Sequence, residues 1–218
     1  MNNFDPNLVA IIVLGASVSL VPLAVVTMTG FLKISVVLFL IRNALGIQQT
    51  PPNIVLYGIA LILTVYITSP LIGNMYQNFQ AQHNPLQTVA DYKRASKALT
   101  KPLKGYLARY ANPKEQTFFL DATRGLWSQQ ARQNLQRDDL LVLVPAFVSS
   151  ELTRAFEIGF LLYIPFLVID LIVSNVLMAM GMIMVSPTLI STPLKIFLFV
   201  AVSGWSHLMH GLILSYVT

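Results

Sequence analysis

A chain of 218 residues that is 55% apolar and only 11% charged has a membrane-class composition, since soluble domains carry about 25% charged residues. It has no cysteine, which excludes disulfides, zinc–thiolate sites, iron–sulfur clusters and thiol catalysis. The net charge of +5 is concentrated: ten basic and five acidic residues lie between Asn74 and Val144, while the apolar flanks hold four of each. A basic segment suits anionic lipid or nucleic acid, but aromatics do not interleave with the basic residues as in single-strand binders. A solvated helical face is therefore the expectation, with no nucleic-acid partner.

The N-terminal "MNNFDPNLVA" lacks the basic region and small-residue cleavage site of a secretory signal, so the first hydrophobic segment is expected to be kept. Segment one runs from about Asn7 to Met28, starts at Asp5-Pro6, and is expected to be interrupted by Pro22 and Gly30. Gly15 and Ser19 offer a small-x-x-x-small contact. Segment two, "FLKISVVLFLIRNALG", carries Lys33 and Arg42 and ends at Gly46. It is shorter than the roughly 20 residues of a membrane span. "IQQTPPN" predicts a turn. Segment three, Ile54 to Gly73, is the best spanning candidate by hydropathy. The middle predicts helices separated by Pro85, Pro102, Gly105 and Pro113, the last covering Pro113 to Arg137. Segment four, Leu140 to Met184, exceeds one span and predicts two helices or a hairpin; segment five runs from about Leu189 to Val217. The fold class is all-α: broken hydrophobic helices forming hairpins around a basic helical middle, organised as 1–73, 74–139 and 140–218.

The apolar segments contain Lys33, Arg42, Glu151, Arg154, Glu157, Asp170 and Lys195. A charge facing lipid costs several kcal/mol, so such residues face protein or water. The balance of signs in the flanks predicts a buried pairing network. Glu151, Arg154 and Glu157 are three apart and fall along one helix flank, where spacing alone favours an intrahelical salt bridge. Asp170 reads as a structural anchor, a partner for Lys195 or Arg154, or a proton-carrying carboxylate. There is no phosphate-binding glycine loop, no zinc-protease motif and no nucleophile triad. His207 and His210 are too few for a zinc site, and Gly204 and Gly211 suit close helix packing.

"MAMGMIMVSP" places Met178, Met180, Met182 and Met184 on alternate positions, with Gly181 among them and Pro187 closing the stretch. As a helix the four fall on two faces; as an extended turn all four could point one way. Gly181 and Pro187 favour a non-helical break. On composition alone the stretch is gap-filling core methionine, or, less well supported, a soft thioether site for Cu(I).

Three blocks carry a family resemblance: "FLKISVVLFLIRNALGIQQTPPN", the paired "PAFVSSELTRAFEIGF" and "YIPFLVIDLIVSNVLMAMGM", and "STPLKIFLFVAVSGWSHLMHGLILSYV". They cover most of residues 20–72 and 140–218 and resemble the export-gate family of bacterial flagella (FliP) and virulence type III secretion (SctR), the virulence form more closely. The resemblance implies five copies of the chain, joined by small hydrophobic S-type and T-type subunits in a conical, helically wound gate. The gate would lie largely on the periplasmic side of the bacterial inner membrane, in contact with lipid, other export-apparatus proteins and the needle base. It would admit unfolded proteins for secretion, with no catalysis, cofactor or metal in this subunit. The methionine-rich stretch would line the pore as a gasket, with Met182 and Met184 on the closest match and Met178 and Met180 beside them. The competing reading is a polytopic inner-membrane transporter or channel using Asp170 and the Glu151–Arg154–Glu157 flank as a relay, which lacks the expected internal symmetry.

Overall fold

A computed structural model describes residue 15 and residues 19–47, 49–81, 89–133 and 135–217. Among them the regular structure is helical, with no strand: α1 (Ser19–Met28), then α2 (Phe31–Ala44), α3 (Asn53–Gln80), α4 (Val89–Tyr110), α5 (Pro113–Leu126), α6 (Gln129–Arg132), α7 (Leu140–Ala179), α8 (Pro187–Ala201) and α9 (Gly204–Leu214). The starts follow local chemistry. Asn112 caps α5 by accepting from the Lys114 N–H at 2.9 Å, with Pro113 at the first position, where its missing N–H costs nothing. Ser186 and Pro187 open α8 in the same order.

The centre of the fold is α2. Ile34, Val37, Leu38, Ile41, Ala44 and Leu45 are at most 2% exposed and recur at helical spacing, so one stripe of α2 is sealed. It packs against Leu56, Ala60 and Leu63 of α3, Ala155 and Phe166 of α7, and Leu208 and Leu212 of α9. Each buried Ile, Leu or Val contributes about 1.5–3 kcal/mol relative to exposure. Segment two is short because it is a core helix. At Gly159, an added Cβ would stand 2.2 Å from Leu40 Cδ1, so any larger residue at the α2–α7 crossing would push the Leu40 side chain aside. A second cluster joins Leu107, Tyr110 and Ala111 on the α4 side to Leu143, Ala146 and Phe147 of α7 and to Tyr216.

Several expected breaks are absent. α7 is one helix of 40 residues, not two or a hairpin, and it passes through Pro145 and Pro165. Each proline removes a backbone hydrogen bond, but α2, α4, α5 and α8 pack along α7 and hold it. At about 1.5 Å per residue it is about 60 Å long. Pro22 lies within α1, and Pro102 and Gly105 within α4, so none of these ends a helix. α5 stops at Leu126 instead of Arg137 because Trp127 is extended (φ −116°, ψ 150°). The real breaks are a 70° bend between α1 and α2, at Gly30, and a 63° bend between α8 and α9, where Ser203 adopts φ 52°. Pro85 and the start of segment one lie outside the described residues. Among the described residues, α3 and α7 are each long and apolar enough to cross a membrane, and the two bent pairs would add two spans if each is a broken one.

Candidate functional site

Two features stand out: a buried charge centre and an exposed methionine loop. In the first, Lys33 of α2 and Glu151 of α7 are fully buried, with Nζ 3.4 Å from Oε2. Arg154, one turn on, donates to Glu151 Oε1 at 3.2 Å and to the Tyr110 carbonyl at 2.9 Å. The Tyr216 hydroxyl donates to Glu151 Oε2, and the Tyr110 hydroxyl donates to the Tyr216 carbonyl at 2.8 Å. Lys33 Nζ also lies 3.4 Å from the centroid of the Tyr216 ring. Two cations thus share one carboxylate, and the excess positive charge is met by a carbonyl dipole and an aromatic face. The centre ties α2, α4, α7 and the turn after α9 together. Gly30 makes room for it, since a Cβ there would be 2.5 Å from the Tyr216 hydroxyl.

The other charges lie elsewhere. Lys195 donates to Asp170 Oδ2 at 2.5 Å and to the Ala44 carbonyl at 3.1 Å, placing an ammonium at the negative end of α2. Arg42 donates to Asn53 Oδ1 at 2.6 Å and to the Pro51 carbonyl at 3.3 Å. Glu157 is exposed, and no ion pair involves it among the described residues. Six residues beyond Glu151 at about 100° each, it is turned about 120° away around the helix. The seven charges therefore form a triad, a separate pair and two single sites, not one network. Sequence reasoning missed Tyr216, Tyr110 and Asn53; for Tyr216 the signal was a polar-tipped aromatic in an apolar run, since a buried tyrosine hydroxyl needs a partner.

A third ionic contact lies at the start of α7. Lys104 Nζ is 2.9 Å from Asp139 Oδ1 and 3.8 Å from Asp138, and Asp139 Oδ2 accepts the Gln136 N–H at 2.8 Å. The Gln136 hydrogen bond, then that from Lys104, holds the Asp139 carboxyl below its usual range, while Asp139 raises Lys104. A depressed carboxyl stabilises the fold above its unfolded value of about 4, and that stability is lost as pH falls through the folded value. The raised lysine does the reverse, its contribution fading as pH rises through its folded value. Asp139→Asn should lower thermal stability in detergent at neutral pH by about 0.2–1 kcal/mol, as partly exposed pairs do. The gap to the parent should close as the pH falls through the depressed value of the folded carboxyl. A gap unchanged at acid pH would refute this account.

The methionines divide at the end of α7. Met178 lies in its last turn and Met180 caps it. The Met182 N–H donates to the Leu177 carbonyl and the Gly181 N–H to the Met178 carbonyl, both at 3.0 Å. With Gly181 at φ +75° this is a Schellman closure, and glycine is required because its left-handed conformation strains any residue with a Cβ. The Val185 N–H closes the next turn on Met182. The four methionines thus follow neither a continuous helix nor a straight strand. Ile183 is 83% exposed and Met184 fully so, hence the stretch is not a core filler in the isolated chain. His207 and His210 of α9 belong to no cluster of metal ligands among the described residues; His207 Nδ1 lies 2.9 Å from the Val202 carbonyl. Gly204 packs under Phe199, whereas Gly211 has open space beside it.

The family model described as the FliP family matches residues 14–212. A probable translocation protein of Sinorhizobium fredii is 51% identical over 99% of this chain and 97% of its own length. The Yop proteins translocation protein R of Yersinia pestis is 45% identical over 97% of each chain, and the harpin secretion protein HrcR of Erwinia amylovora 44% identical over 98% of each.

Proposed function

This chain belongs to the FliP family, and from that premise we propose that it forms the protein-conducting gate of a virulence-type type III secretion apparatus, with its α7–α8 loop as the seal. The chain is a type III secretion export component, in line with relatives named for Yop translocation and harpin secretion. The loop carries the reading: Met182, Ile183 and Met184 stand exposed at the tip of a glycine-locked turn. Water is a poor environment for such a tip. Thioethers are soft enough to close on one another and to reshape around a passing chain.

Assembly with further copies is supported by length. Large apolar side chains are exposed along α7 from Leu141 to Val176. At about 1.5 Å per residue this stretch covers about 50 Å, against about 30 Å of bilayer hydrocarbon. Lipid covers only part of it, and protein covers the rest. We assign that cover to further copies of the chain, five in all, and to small hydrophobic S-type and T-type subunits. The apparatus sits at the inner membrane with the gate reaching its periplasmic side, and the chain's part is structural.

Because the chain has no cysteine, Met184→Cys introduces a single thiol. With an export substrate stalled in the apparatus by a folded fusion domain, this thiol, alkylated with a photoactivatable maleimide, should cross-link to the substrate on illumination, while Phe118→Cys on exposed α5 should not. Failure of Met184→Cys to reach the substrate in secreting cells, or equal cross-linking by the control, sinks the seal.

A further inference from the structure

A cleft of about 660 Å³ opens between the C-terminal end of α3 and the flank of α4, lined by Asn74, Asn78, Arg94, Lys97 and Lys101 over Ala98 and Pro102. We infer that it binds the phosphate-bearing headgroup of an anionic phospholipid. The inference rests on the membrane location of α3 and goes beyond the gate itself.

The spacing builds the site. Asn74 and Asn78 are four apart on α3, and Arg94, Lys97 and Lys101 sit at i, i+3 and i+7 on α4, so each set shares a helix face. The helices run antiparallel, with Ile67 of α3 in the same cluster as Leu103 and Tyr106 of α4. This brings amide donors opposite cationic donors, the combination that holds phosphate oxygens. Among the described residues, no acidic one lines the cleft. α3 is uncharged, and α4 carries six basic residues against one acid.

Position selects the source of the phosphate. The apolar stretch of α3 ends at Gly73, immediately before Asn74. Past it, Tyr76 and Phe79 are exposed, as aromatics are at the headgroup level of a membrane. The cleft therefore opens where α3 leaves hydrocarbon, at the depth of lipid phosphates. Half-buried Leu71 and exposed Tyr66, both within about 80° of Asn74 around α3, offer apolar surface to the acyl chains. A free phosphate gains only the charge contacts, whereas a lipid gains both.

The test uses full-length protein extracted from membranes in neutral detergent and incubated with equal phosphatidylglycerol and phosphatidylcholine. Retained lipid is read by native mass spectrometry. The parent should retain phosphatidylglycerol in clear excess. Lys97→Gln with Lys101→Gln should reduce that preference by about fivefold per charge removed, following the roughly 1 kcal/mol that each basic residue contributes near an anionic surface. Lys97→Arg with Lys101→Arg should keep it, as should Lys114→Gln with Arg124→Gln at a distance. An undiminished preference in the glutamine variant, or equal loss in the distant control, overturns the site. Displacement of the lipid from the parent by millimolar inorganic phosphate would show a plain anion site and overturn the lipid assignment. Protein found outside the membrane fraction would overturn the membrane reading, and this inference with it. Membrane-extracted protein without the preference overturns this inference alone.

Discussion

Glu151→Ala is expected to remove most folded protein from the membrane fraction. The carboxylate is fully buried, answers both Lys33 and Arg154, and accepts the Tyr216 hydroxyl. Its loss leaves an ammonium without a counter-ion in the best-sealed part of the molecule. Stranding one member of a buried pair costs about 3–5 kcal/mol, against a total stability of about 5–15 kcal/mol for a domain. Lys33→Met should be milder, because Glu151 keeps Arg154 and Tyr216. Joining Lys33→Met to Glu151→Leu should recover much of the loss, since Arg154 is 40% exposed and retains the Tyr110 carbonyl. Replacing a buried ion pair by apolar side chains of similar volume is often neutral. Protein level after membrane extraction and the unfolding midpoint in detergent are the readouts. Parent-like values for Glu151→Ala would refute the account, and so would a double variant no better than the single one.

Met182→Ala with Met184→Ala should act in the opposite way, leaving the fold intact and opening the assembled gate. Both side chains are substantially exposed in the single chain, where truncation usually changes stability by less than about 0.5 kcal/mol. At a seal built from several copies, each truncation repeats around the axis and leaves a gap no neighbour fills. Resting membranes should become severalfold more permeable to small ions, read with a potential-sensitive dye, while secretion continues. Leucine at both positions preserves most of the volume and should restore tightness. If the alanine variant seals as well as the parent when assembled, the loop is not the barrier.

The helical class was legible because apolar runs without strand alternation leave little else, and the break after α7 was legible from Gly181 and Pro187. Proline misled elsewhere. Pro145 and Pro165 look like interruptions in "LVPAF" and "YIPFL", yet α7, packed on several sides, stays helical through both. Lys33 and Glu151 could be recognised as charges in need of burial. Their arrangement could not, because the third participant, Tyr216, lies 65 residues beyond Glu151 and meets it through tertiary packing alone. Glu157 shows the limit of spacing arguments: a three-residue step keeps a neighbour in reach, and two such steps turn it away.

The unbroken α7 has a mechanical consequence. The charge centre grips it at Glu151 and the methionine turn crowns its far end at Met180, 29 residues on, a lever arm of about 43 Å. A tilt of about 5° at the grip would sweep the tip by about 4 Å, roughly the width of a side chain. The continuity of one helix thus links a slight repacking around α2 to a change of aperture at its tip.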